Sequence, residues 1–234
     1  MRTLTELNAK WIVDAGFSAS NFEVFENELT QKLAVIDAEL VDLEKREAII
    51  RANPELSHEG KEKAIAKLFG EKSVFLEKFR DEVMGKLNQA TADRWQAMFQ
   101  AVDNGRFSTG HPAADEVRAG EIRAWFKTVD PAMKEQVYRD ALRAGDLETC
   151  QALENAPRIF GLLSDSLIQE GRTQRAAKID PDTTVMHHDL TTFRQVMQHN
   201  FARMEKRLEP YKQTAIRAMP ERFDDTYRQA KGIA

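Results

Sequence analysis

Gly105-Arg106-Phe107-Ser108-Thr109-Gly110 has the glycine spacing of a loop whose backbone amides cradle a phosphate. The residues that follow are His111 and Pro112, where such a loop needs a lysine and a hydroxyl residue to reach the phosphate and its magnesium, and no strand precedes it. This is therefore an interhelical connection. His187 and His188 are adjacent, so on a helix they point about 100° apart and cannot form the i, i+4 pair that chelates zinc. His199 shares a face with His188 but lies three turns away. Glu55 and His58 have the Glu-x-x-His spacing of di-iron bundles, yet they fall in a turn, and no second copy occurs on a helix. Cys150 is the only cysteine, which excludes an internal disulfide and a thiolate cluster. Leu147 and Leu153 flank it at helical spacing and mark it as a small buried side chain. With no nucleophile, base or ligand set singled out, the expectation is a protein without catalytic activity, cofactor or metal.

The residues with the strongest spacing carry association rather than chemistry. Phe22, Leu29, Ile36, Leu43 and Ile50 recur every seven positions, with Phe25, Leu33 and Leu40 beside them. Such a stripe stays on one side of a helix and must be covered by another helix. Leu190, Met197, Met204 and Tyr211 repeat the same period, accompanied by Phe193, Phe201, Leu208 and Ala215. Phe22, Leu29, Ile36, Leu43 and Ile50 on the first stripe, and Met197, Met204, Leu208 and Tyr211 on the second, are the candidate contacts with another copy or another partner. A monomer could close both stripes internally. Charge is unevenly spread: acids dominate from Phe22 to Lys63, whereas Arg194, Arg203, Lys206 and Arg207 lead a basic C-terminal segment. Those four are candidate contacts to DNA or to an acidic partner. Docking on an acidic helix of its own or a neighbouring chain is preferred, because the segment lacks interleaved aromatics and any groove-reading module.

The elements that carry these stripes are all helical, since nowhere do β-branched and aromatic residues alternate over a strand's length. A short amphipathic helix is expected within 1–19, starting at the capping-box pair Thr3 and Glu6 and stopping at Gly16. Residues 20–103 read as a long antiparallel coiled-coil-like hairpin, capped at Ser20 and turned at Pro54, with Ser57 restarting the chain. Residues 104–179 read as a small helical bundle. Pro112, Pro131 and Pro157 mark its starts, and Gly145 and Gly171 its stops. After a linker at Asp180-Pro181-Asp182, residues 180–234 form a long amphipathic segment that Pro210 should kink or split. The fold class is thus all-α. The 234 residues include 42% hydrophobic and 31% charged side chains, with a formal net charge of −4, as in a folded protein rich in exposed helix. No apolar run approaches the ~20 residues of a membrane span, and the expectation is a cytosolic protein.

The segment Ala52-Asn53-Pro54-Glu55-Leu56-Ser57-His58-Glu59-Gly60-Lys61, between two charged heptad helices, resembles the hairpin tips of small structural proteins of tailed bacteriophages. The stretch from Ala141 to Phe160 has a similar character. That resemblance implies a virion or assembly component present in several copies around a portal, neck or tail, with other subunits as partners. It carries over no functional residue.

Overall fold

The computed structural model describes residues 17–18, 21–105 and 107–218. Among these there are seven α-helices, one 3-10 turn and no strand. In chain order they are α1 (Phe22–Ala52), α2 (His58–Asn104), α3 (Pro112–Thr128), α4 (Lys134–Ala144), α5 (Leu147–Glu154), the 3-10 turn Arg158–Phe160, α6 (Asp165–Ile179) and α7 (Pro181–Ala218). The helix expected from Thr3 to Gly16, the Ser20 cap and the part of the C-terminal segment past Ala218 lie outside the described residues.

The chain forms two compact units, 1–90 with 189–234, and 91–188. The divisions fall inside α2 and α7, at 90/91 and 188/189, whereas the expected domain boundaries are 103/104 and 179/180. Met98 and Val102 of α2 pack on Ala176 of α6, with Trp95 and Phe99 alongside, which places the end of α2 in the second unit's core. The expected linker at Asp180 is a tight junction. Asp180 ends α6, and its carboxylate caps α7 by accepting the Thr183 N–H at 3.0 Å. Proline at the first position of α7 loses nothing there, because that amide would be unbonded in any case.

In the first unit, α1 and α2 form the antiparallel hairpin. At its tip Asn53 Oδ1 accepts the Glu55 N–H at 2.9 Å, Ser57 Oγ accepts the Gly60 N–H at 3.1 Å, and Lys61 Nζ donates to the Arg51 carbonyl at 2.9 Å. These bonds satisfy backbone groups that a helix end leaves open. The later part of α7 is the third helix. It runs parallel to α1: Phe25 meets Phe193 (centroids 5.3 Å apart), and further along Tyr211 donates to Glu47 at 2.7 Å. α2 runs the other way, with Phe79 against Phe201 at 6.4 Å. Buried Asp189 fixes the start of α1, accepting the Ser18 N–H at 3.0 Å, the Ser18 hydroxyl and Asn21 Nδ2 at 2.8 Å. α7 continues through Pro210 without splitting. Pro210 and Lys206 are exposed, so the carbonyl freed by the missing amide opens to water.

In the second unit, α3 packs on α5, and α4 packs on α5 and α6. Phe126, Tyr138, Leu142, Cys150, Leu153, Leu162 and Leu167 make the core. Gly145 ends α4 with a φ of 72°, a left-handed conformation that glycine adopts without a steric penalty, and Asp146 caps α5 by accepting the Thr149 N–H. Two expectations are corrected here. Ile159 and Phe160 lie in the 3-10 turn, and the next helix starts at Asp165 with Ser164 as its cap. Gly171 does not stop that helix. It is buried mid-helix, where a Cβ would lie 1.9 Å from Tyr138 Oη and 2.7 Å from Cζ, so glycine is required by the close approach of the tyrosine ring.

Candidate interaction site

The first heptad stripe is core of this chain. Leu29, Ile36 and Leu43 are buried, together with Phe25, Leu33 and Leu40, while Phe22 and Ile50 at the two ends are half-buried. Met197, Met204 and Leu208 on α7 are buried as well, and Tyr211 is half-buried. The buried members of both stripes are covered within the same unit, which is the internal closure that an apolar stripe equally permits, while Phe22, Ile50 and Tyr211 keep part of their surface open.

The four basic candidates separate. Arg207 Nη2 donates to Glu44 at 2.7 Å, and its Nη1 stands 3.9 Å from the buried Asp37. The basic helix has docked on the acidic helix of its own chain. Arg194, Arg203 and Lys206 make no ion pair among the described residues, and Arg194 Nε and Arg203 Nη1 are buried without an acceptor. Arg203 stands nine positions after Arg194, about two and a half helical turns, so they lie on opposite sides of α7. The four cations do not form one continuous strip.

Between α1 and α7 near the hairpin tip is a cleft of about 330 Å³, lined by Glu44, Glu47, Arg51, Arg207, Pro210, Tyr211 and Thr214. Its charges satisfy one another: Arg51 Nε donates to Glu47 at 2.6 Å, Tyr211 to the other oxygen of Glu47, and Arg207 to Glu44. Burial and the Glu47 carboxylate hold the Tyr211 phenol well above its ordinary range, so it is a hydrogen-bond donor rather than a base.

A second polar cluster lies in the unit 91–188 and had no clear sequence signal. Tyr138 Oη donates to Glu154 Oε1 at 2.7 Å, and Arg175 pairs with Glu154 Oε2; the Arg175 and Glu154 side chains are 8% and 4% exposed. Burial pushes the Glu154 carboxyl up, against the pull of the Tyr138 hydroxyl and Arg175. Burial also pushes the Cys150 thiol up to about 11, so it is protonated and inert near neutral pH. A void of only about 10 Å³ adjoins this cluster. The arrangement is a buried network in which Tyr138 and Arg175 close on one carboxylate, while Arg175 Nε is left without an acceptor.

The motifs set aside in the sequence stay apart in space. Among the described residues no group of three or more His, Cys, Asp and Glu could hold a metal ion. His187 lies against the Trp95 ring, with centroids 5.0 Å apart, and exposed His58 stands 3.7 Å from Glu62. The loop before α3 is tied down by Asp115, which accepts the Thr109 N–H and the Ser108 and Thr109 hydroxyls. Among the described residues no helix is long and apolar enough to cross a membrane. Comparison with known proteins finds no match: no family model, no curated protein and no solved structure resembles the chain.

Proposed function

We propose that this chain is a non-enzymatic assembly protein that packs through helical faces into a homo-oligomer or a larger complex. The observation that carries the reading is the set of large apolar side chains left outside both cores. Val24 is 64% exposed, Ile49 69%, Trp125 51% and Ile159 89%. Interface centres are enriched in large apolar and aromatic side chains, and these four stand outside the cores of the described residues. The hairpin tip from Ala52 to Lys61 gives the finer form of the proposal, a structural component of a tailed-phage particle with other virion subunits as partners. The test is the absolute mass of the purified protein by light scattering behind a sizing column, at low and high salt. A defined oligomer supports the reading. A monomer at both salts that also fails to join purified phage particles overturns it.

The second reading, a nucleic-acid-associated helical scaffold, is favoured by Arg194, Arg203 and Lys206, which lack intrachain carboxylate partners among the described residues. It requires duplex DNA binding that weakens steeply with salt and weakens again on substitution of Arg203 and Lys206. No binding at low salt removes it.

A further inference from the structure

The outward side of α1 carries a second stripe at alternating four- and three-residue spacing: Val24, Glu28, Gln31 and Val35, continued by Ala38, Asp42, Lys45 and Ile49. At about 100° per residue these positions stay within a band roughly 100° wide, opposite the buried stripe. All are exposed except Asp42, which is half-buried because Lys72 of α2 reaches it at 2.6 Å. The stripe is self-complementary when laid against a copy of itself in the opposite direction. Val24 then faces Ile49, Glu28 faces Lys45, Gln31 faces Asp42, and Val35 faces Ala38. Every position meets a compatible one, and a two-fold axis repeats each pair. The charges favour this occupant over a foreign helix. Lys45 makes no ion pair among the described residues, and Glu28 is held loosely, by Lys32 of its own helix at 3.5 Å and by the field of Lys86 on α2. Asp42 is held by both Lys72 and Arg46, so the stripe's remaining charges are the loosely paired acid Glu28 and the base Lys45, placed to meet across the axis.

We propose that a second copy of this chain docks antiparallel on the outward face of α1, forming a two-fold dimer along ~38 Å of helix. The inference rests on the assembly reading and specifies its first contact. The interface is small and mixed in polarity, so the dimer is weak and sensitive to salt.

The experiment is sedimentation velocity of the full chain over a concentration series, for wild type, Glu28→Lys, Lys45→Glu and the double variant. Each single change replaces two attractive pairs per dimer with two repulsive ones and should weaken dimerisation ~10-fold or more. The double variant reverses both charges and should restore the wild-type value. Both positions are exposed, so folding is expected to survive, and circular dichroism checks it. A mixture of Val35→Cys chains with Ala38→Cys chains should form a disulfide between the two on oxidation, since these positions face each other across the axis. The native Cys150 is buried and does not compete. An oligomer insensitive to the charge changes and not trapped by the disulfide overturns this inference and leaves the assembly reading intact. A wild-type chain that stays monomeric up to about 1 mM overturns it too.

Discussion

Gly171→Ala isolates the packing of the second unit, and its magnitude can be worked from three distances. The new Cβ would stand 1.9 Å from Tyr138 Oη, 2.7 Å from Cζ and 3.1 Å from Leu142 Cδ1. Tyr138 is fully buried, so its ring has no open side to move into, and any retreat stretches its 2.7 Å bond to Glu154. Overpacking a core costs about 1–3 kcal/mol, and losing a hydrogen bond to a charged group about 1.5–3 kcal/mol. Replacing a mid-helix glycine by alanine returns about 1 kcal/mol. The expected net destabilisation is ~1.5–5 kcal/mol, or about 10- to 4,000-fold in the opening equilibrium. Cys150 supplies the assay. It is the only thiol, it is buried in this unit, and its high pKa silences it in the closed state, so labelling by an aromatic disulfide reports opening of the unit 91–188 and not of the other. The double variant with Tyr138→Phe removes the atom at 1.9 Å and the bond that could be lost. Its cost should fall short of the sum of the two single changes by roughly 1–2 kcal/mol. A neutral Gly171→Ala, or strict additivity in the cycle, would refute the close-approach account of this glycine.

Glu154→Gln leaves Arg175 buried without a countercharge and should destabilise the second unit by about 3–5 kcal/mol, whereas Glu154→Leu combined with Arg175→Met should recover most of that loss; urea unfolding measures both. Lys72 holds the Asp42 carboxyl below its ordinary value of 3.8, so Asp42 contributes stability above that pH that is lost as pH falls through its lower folded value. In Lys72→Met, NMR should show Asp42 titrating at higher pH, and this part of the acid dependence should shrink. Ile36→Asp with Leu43→Asp places two carboxylates in a closed core and should unfold the first unit, seen as lost helicity; folded monomers released from an oligomer would instead return these residues to an intermolecular seam.

The two apolar stripes were readable because a seven-residue period is a local property, and so were the Ser57, Gly145 and Asp146 signals, each satisfied within a few residues. The identity of the covering helix was not readable. Leu29 and Ile36 show the same pattern whether α7 of the same chain or of another one lies over them. Gly171 was misread for a related reason: its role is set by Tyr138 on a different helix, and a glycine before a basic stretch looks like a helix stop. Arg175 belonged to that stretch in sequence, yet it is paired inside the core with Glu154, twenty-one positions earlier. Pro210 was expected to kink or split α7, but the freed carbonyl lies on the wet side of the helix, where its loss can be made good by water.

The opposition of charge between α1 and α7 looks, in the sequence, like a surface offered to a partner. Folding spends part of it inside the first unit: Arg207 pairs with Glu44 and approaches Asp37, and Tyr211 donates to Glu47, while from α2 Lys72 joins Glu39 and Asp42 and Arg80 joins Glu205. A cation held this way releases no counterion on meeting DNA, so Arg207 adds little to a nucleic-acid footprint. What remains on the outward side of α1 is not a field of one sign but Glu28 and Lys45, seventeen positions apart, between the exposed β-branched residues Val24 and Ile49. A surface of balanced charge has little to steer toward a strongly charged ligand and much to match in its own inverted copy. The same internal pairing that weakens the DNA reading therefore strengthens the case for self-association, and it does so through the stripe of α1 that the first heptad pattern left aside.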